Sequence, residues 1–314
     1  MSKSKVGNSI WLVLFEGIKI YFSNIDKFFT YMLFPVFGQV IGISLAFGLT
    51  LGLSDKVIAK VDSVPSALLL VVLLAAPGLL IFVKAFWDFM VAYVALNSMT
   101  EGALNTGKVY DFQSHNEVAT RRTFQFVMLL FVVGFLSSMA SSIFFVIPGF
   151  VLWIYFILVY QVFTFEPELS IPECFKKSFI LVRGNWLRTF LLLAILSFFS
   201  IYIITEGITV VFDFLNLTDK ICPIFNFISN MVPLDLTNRI LVHFKMEIIT
   251  NEMISKAIFT SILSFIVTGL TLPMRSICWT LWYTNLAEIS QYRPSASVQK
   301  RIRKVKKDTN NEDY

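Results

Sequence analysis

The chain has 314 residues, of which 56% are hydrophobic, 15% charged and 33 phenylalanine, and its mean hydropathy of +0.72 is too apolar for a soluble domain. The formal charge of +5 does not mark a nucleic-acid binder, because the basic residues flank apolar runs, as the positive-inside rule requires. Cys174, Cys222 and Cys278 lie far apart and His115 and His243 lack ligand spacing, so no disulfide framework, metal site or cofactor motif is readable.

Residues 8–27 place Trp11, Phe15, Ile18 and Phe22 on one side of a helix and Glu16, Lys19, Ser23 and Lys27 on the other, the pattern of a helix lying in a membrane interface. The charges interrupt the apolar run and no small-residue cleavage site follows, so no cleaved signal peptide is expected. From Phe29 to Leu53 no residue is charged, and 25 residues rising about 1.5 Å each are enough to span a bilayer. This span carries Gly38-x-x-x-Gly42 and Gly48-x-x-x-Gly52. The spacing lets backbones approach closely, within this chain or between two copies.

Ser66 to Val83 is a second span, with a kink expected at Pro77-Gly78. Lys84 and Asp88 follow one turn apart, then an aromatic run through Trp87, Phe89 and Tyr93 to Leu96, then a polar segment from Asn97 to Arg122. Thr123 to Ile147 is the third span. Pro148-Gly149 turns the chain into a fourth from Phe150 to Phe165. Leu187 to Val211 forms a fifth and Ala257 to Met274 a sixth, which ends at Pro273 and Arg275. The stretch from Phe212 to Ser255 is mixed and poorly periodic, and either folds over the outer face or partly re-enters.

Between the fourth and fifth spans, Ser170 and Glu173 have the spacing of a capping box. Ile171, Phe175, Phe179 and Val182 then recur on one face, opposite Glu173, Lys176, Lys177 and Arg183, with Glu173 and Lys177 spaced to pair. Gly184 suits a left-handed C-terminal cap, and Asn185, before Trp186, suits the cap of the next helix. This is a second interfacial helix, with its phenylalanines at the acyl boundary and its lysines among phosphates. It serves as a topology anchor or as a binding surface for anionic lipid or a membrane partner.

The expectation is therefore an all-α polytopic membrane protein. Residues 1–290 form one membrane domain of six transmembrane helices, arranged as three hairpins with interfacial helices, and residues 291–314 a charged, disordered tail. Of the 26 Lys and Arg residues, eighteen fall on the side of the termini and six on the other, which puts both termini in the cytoplasm. Lys84 and Arg275 each follow 18 apolar-span residues, so the two should lie at similar depth and share Asp88 in a structural polar cluster.

Ile147-Pro148-Gly149, Glu166, Cys174-Phe175-Lys176-Lys177-Ser178 and Leu181-Val182-Arg183-Gly184-Asn185-Trp186-Leu187-Arg188 together resemble a bacterial integral-membrane family. That family includes the membrane domain joined to some glycerophosphodiester phosphodiesterases and relatives of the YciC type. Trp282-Tyr283-Thr284-Asn285-Leu286 is similar to its tyrosine-rich closing end, with Asn285 and Ala287 where an acidic residue and an arginine are usual. The resemblance implies six helices and an inner-membrane location, and no catalytic phosphodiesterase segment accompanies it. No nucleophile–base pair or converging carboxylates are readable, so the expected role is non-enzymatic: a scaffold or a lipid- or partner-binding envelope protein, with self-association open. The alternative is a transporter of a lipid or small solute, indicated by the proline-interrupted spans.

Overall fold

The computed structural model describes residues 9–58, 64–107, 109, 112–140, 146–230, 234–243 and 247–292. The tail from Arg293 lies outside the described residues. Among those described the chain is helical without strands. In order the helices are α1 (Ile10–Ser23), α2 (Ile25–Ile58), α3 (Val64–Thr106), α4 (Phe112–Thr120), α5 (Thr123–Ala140), α6 (Val146–Phe156), α7 (Val159–Phe165) and α8 (Ile171–Val182). They continue with α9 (Trp186–Ser197), a π-helical stretch (Phe198–Glu206), α10 (Gly207–Phe214), α11 (Leu217–Ile221), a 3₁₀ turn (Cys222–Phe225), α12 (Asn226–Ser229), α13 (Leu234–His243), α14 (Asn251–Leu270) and α15 (Leu272–Tyr292).

Five segments are long and apolar enough to cross a membrane: Ile25–Thr50, Val64–Thr106, Ile147–Phe165, Trp186–Phe214 and Asn251–Leu270. A sixth follows if α4 and α5, bent 75° to each other, make one span. The architecture is thus that of a polytopic helical membrane protein with five or six spans.

The antiparallel pair α2 and α3 is the most extensive packing in the fold, and glycines make it close. A Cβ built on Gly42 would lie 2.5 Å from the Phe82 nitrogen, and one on Gly78 2.3 Å from the Ala46 nitrogen. Such contacts are with backbone, which cannot swing aside. The first glycine pair therefore packs within this chain, whereas Gly48 and Gly52 face open space. Gly269 of α14 meets Val36 of α2, and Gly17 of α1 meets the Cys278 sulfur of α15, by the same small-residue logic.

α3 departs from the sequence expectation. The helix carries on through Lys84 and Asp88, as their shared face requires, but it does not stop at the polar segment: it runs on to Thr106 for 43 residues, about 65 Å at roughly 1.5 Å per residue, twice a hydrocarbon core of about 30 Å. Its first half is lipid-like on every side, with Val64, Leu69, Val72 and Leu80 exposed, and its second half is protein core, with Ala92, Val94, Leu96, Asn97 and Met99 buried. The segment read as a polar loop from Asn97 therefore begins as ten further helical residues.

The sixth span is also corrected. α14 ends at Leu270 and α15 starts at Leu272. Pro273, second in α15, has no N–H to continue the ladder from α14, and its fixed φ suits a first turn. Pro148 sits likewise in the first turn of α6, though that helix starts at Val146, ahead of the expected Phe150, and pauses at Ile157 and Leu158 before α7. The mixed region from Phe212 folds into short helices: Phe212, Ile221, Cys222 and Phe225 pack with Phe259 and Leu263 of α14 in a satellite core. Asn238 ties it down, with Nδ2 donating to the Ile249 carbonyl at 3.0 Å and Oδ1 accepting from the Ile249 N–H at 2.9 Å.

Candidate functional site

The interfacial helix α8 forms where the sequence places it. The Ser170 N–H and hydroxyl both donate to Glu173 Oε2, at 2.8 and 2.6 Å, and these two bonds hold the Glu173 carboxyl below the usual carboxylate range. Gly184, at φ 91°, is the left-handed cap. Three details differ from expectation. Glu173 is engaged by Ser170, so Lys177 pairs instead with Glu166 across the preceding turn, at 3.4 Å. Asn185 precedes α9 without a side-chain cap; its carbonyl accepts from Thr189 Oγ1 at 3.0 Å. The buried stripe is Cys174, Ser178, Leu181 and Val182, turned from the expected face because the helix docks on protein.

That docking fixes the rest. Phe175 meets Phe156 edge-on at 5.2 Å, Phe179 meets Tyr155 at 4.5 Å, and Ser178 donates to the Tyr155 carbonyl at 2.8 Å. The Trp186 indole donates to the Val151 carbonyl at 3.4 Å. Tyr283 donates to Glu166 at 2.8 Å. Arg122 donates to the Phe163 and Pro167 carbonyls at the end of α7, at 2.5 and 3.0 Å, where a cation also complements the helix dipole. Lys176 and Arg183 remain exposed on the outer side.

The expected cluster of Lys84, Asp88 and Arg275 divides. Lys84 and Asp88 do meet, with Nζ 2.6 Å from Oδ2, on an exposed face of α3 where the ammonium also lies 6.0 Å from the Phe34 ring. Arg275 is elsewhere. Its Nη2 donates to the Thr268 carbonyl at 2.8 Å, closing the C-terminal end of α14 across the break at Thr271. A new helix starts at Leu272, so depth counted along an uninterrupted span misplaced Arg275. Among the described residues no carboxylate pairs with it, and its Nε, although buried, has no hydrogen-bond partner.

Arg275 lines a cavity of about 620 Å³ bounded chiefly by α6, α7, α9 and α15, with Tyr93 from α3 and Val133 from α5. Trp153, Phe156, Phe190, Leu193 and Trp279 supply apolar and aromatic wall, and Tyr93, Tyr160, Gln161, Ser197 and Ser276 the polar wall. Tyr93 and Tyr160 stack at 5.3 Å. The size falls within the roughly 300–1,000 Å³ of ligand pockets, and the mixture of apolar lining with a few polar groups is theirs as well.

Beside the cavity lies a buried polar hub that the sequence did not reveal. Asn97 Nδ2 donates to the Tyr93 carbonyl at 3.0 Å and to Thr164 Oγ1 at 3.2 Å. Asn97 Oδ1 accepts from Gln161 Nε2 at 3.2 Å, Ser276 Oγ at 2.8 Å and Thr280 Oγ1 at 3.2 Å. Gln161 is thus in the core, tying α7 to Asn97 of α3. The signal available was Ser276, Thr280 and Thr284, one helical turn apart on one face of an apolar run.

Among the described residues no three His, Cys, Asp or Glu side chains gather as metal ligands, and Cys174, Cys222 and Cys278 are free, buried thiols. Comparison of the chain with family models, curated proteins and solved structures finds no match.

Proposed function

We propose that this is a non-enzymatic inner-membrane protein of six spans in three hairpins, with both termini cytoplasmic, that holds an anionic, lipid-like amphiphile in the cavity beside Arg275. The observation that carries the reading is a guanidinium half-buried in an aromatic cavity with no carboxylate partner among the described residues. Removing a charge from water without a counter-charge is expensive, and intramembrane cations therefore mark ligand or ion sites. An anionic headgroup would supply the missing charge, and the aromatic wall a place for its chain. The Lys and Arg asymmetry supports the orientation, and the resemblance over residues 147–190 supports the location. Exposed Lys176 and Arg183 on α8 give the same face a preference for anionic lipid.

The test is binding of a fluorescent anionic amphiphile to the purified protein. Arg275→Gln should weaken it about tenfold or more, the scale of a hydrogen bond to a charged group. Equal binding by both proteins removes the reading. Reporter fusions after Asn97 and at the tail should read cytoplasmic, and one after Lys60 external. Opposite signals at the first two positions would overturn the orientation.

A transporter is the second reading, favoured by two irregularities at the cavity rim. α14 and α15 break at Thr271, and the π-helical stretch starts immediately after Ser197, with Ser200 and Thr271 joined hydroxyl to hydroxyl at 2.8 Å. Broken and π-bulged helices recur where substrates pass. Flux of the amphiphile across proteoliposomes that contain the protein, absent from protein-free vesicles, would favour this reading over static binding.

A further inference from the structure

The groups that open onto the cavity beside Arg275 narrow the anion proposed there. Nε of Arg275 is sealed within the protein, and Nη2 already donates to the Thr268 carbonyl at 2.8 Å. The Nε edge, one of the two that can fork onto a carboxylate, is therefore closed, and what the guanidinium offers the cavity is Nη1. Two hydroxyls accompany it. Tyr93 of α3 and Tyr160 of α7 line the same cavity with their rings stacked at 5.3 Å, and the Arg275 charge acts on the Tyr93 hydroxyl, as Tyr93 acts on that of Tyr160. Neither hydroxyl has a hydrogen-bond partner among the described residues, and neither is sealed as Arg275 Nε is. The ring of Tyr93 is anchored from behind, its carbonyl accepting from Asn97 Nδ2 at 3.0 Å. Among the described residues no Asp, Glu or His lines the cavity.

We infer that the cavity selects a phosphate monoester as the headgroup of its amphiphile, bound by Arg275 Nη1 and by the hydroxyls of Tyr93 and Tyr160. This rests on the anionic cavity proposed above. The donors come from three helices, α15, α3 and α7, and so approach the ligand from different sides. A carboxylate accepts hydrogen bonds near the plane of its two oxygens, whereas the three terminal oxygens of a phosphate monoester point to three sides and accept on all of them. An amine-bearing headgroup finds no carboxylate there to receive its ammonium group, and meets the Arg275 charge instead. Trp153, Phe156 and Trp279 in the wall take the chain. Free phosphate would use the same donors and leave that wall empty, so the two sources of the phosphate are separable by experiment.

The full-length protein in nanodiscs is challenged, in displacement of a fluorescent anionic amphiphile, with dodecanoate, dodecyl phosphate, dodecylphosphocholine and inorganic phosphate. A pH of about 8.5 keeps the monoester fully ionised, its second ionisation lying near 6. Dodecyl phosphate should bind about tenfold more tightly than dodecanoate, the worth of a further hydrogen bond to a charged group, and more tightly than dodecylphosphocholine; inorganic phosphate should not displace the probe. Tyr93→Phe and Tyr160→Phe keep the stacked rings, and each should cut the gap between dodecyl phosphate and dodecanoate about fivefold, whereas Arg275→Gln should weaken both ligands. Equal affinities of the unmodified protein for dodecyl phosphate and dodecanoate, or for dodecyl phosphate and dodecylphosphocholine, overturn the inference, and these comparisons need no variant to fold. A gap that both phenylalanine variants retain in full overturns it as well, because the greater charge of the phosphate would then set the preference. Displacement by inorganic phosphate as strong as by dodecyl phosphate overturns the lipid source. In each of these cases weakened binding by Arg275→Gln leaves the anionic cavity standing. If no probe displaces the fluorophore, or if Arg275→Gln changes nothing, the cavity reading itself fails.

Discussion

The two halves of α3 belong to one helix and have opposite surroundings. Residues 64–83 are apolar on every side and mostly exposed, as a helix surrounded by lipid requires. From Ala85 to Ala103 the helix is enclosed by protein and carries Asn97 and Thr100, both fully buried. Hydropathy finds the first half easily because nearly all its residues are apolar, whether they face lipid or α2. It misjudges the second because a polar residue held by neighbouring helices looks, in sequence, like one facing water. The most polar part of the helix is thus part of its core, and the cavity and hub gather around that half.

This contrast is broken most severely at Asn97. Replacing it with Leu removes the bonds to Tyr93, Thr164, Gln161, Ser276 and Thr280 together and leaves several buried groups unpaired. Each such group costs roughly 1–3 kcal/mol, so a loss of about 3–5 kcal/mol is expected, read as a lowered thermal unfolding midpoint in detergent. Val72→Ala, on the exposed half of the same helix, should stay within about 0.5 kcal/mol. Comparable losses at the two positions would mean that both halves are packed alike.

The glycines sharpen the comparison within the exposed half, because α2 covers one narrow strip of it. Gly78→Ala puts a methyl group against the Ala46 backbone, and overpacking of this kind costs about 1–3 kcal/mol. Gly48→Ala meets nothing in this chain and should be neutral or slightly stabilising through helix propensity. A marked loss at Gly48, seen together with a change in oligomeric mass, would show that this glycine faces a second copy.

Much of the fold was legible because membrane spans, capping boxes and glycine caps are local. Ser170 with Glu173 and Gly184 at φ 91° needed only their neighbours in sequence. Gly38 and Gly42 were legible as a contact, although their partner α3 was not. The site was less legible. Asn97, Gln161, Ser276 and Thr280 come from three separate stretches, and nothing in any one stretch says that the others will face it. Arg275 was placed by counting residues along a continuous span, and Pro273 invalidated the count by starting a new helix. Lys177 was matched to Glu173 by helical spacing, yet Ser170 had already engaged that carboxylate.

The smallest effect concerns Lys84 and Asp88, at the junction of the two halves. Their side chains are 62% and 27% exposed, so solvent screens the attraction and an i, i+4 pair of this kind contributes about 0.3–0.5 kcal/mol. Had Arg275 joined them, Asp88 would have been shared between two cations and a partly buried network would have resulted. The geometry sends Arg275 to Thr268 instead. Asp88→Ala combined with Lys84→Ala should therefore show a coupling of no more than about 0.5 kcal/mol, reduced further at high salt. Asp88→Ala with Arg275→Ala should be additive, as expected for residues without a shared partner. A double-mutant cycle in thermal unfolding measures both. Coupling above about 1 kcal/mol between Asp88 and Arg275 would mean that the exposed and enclosed halves of α3 share one electrostatic network.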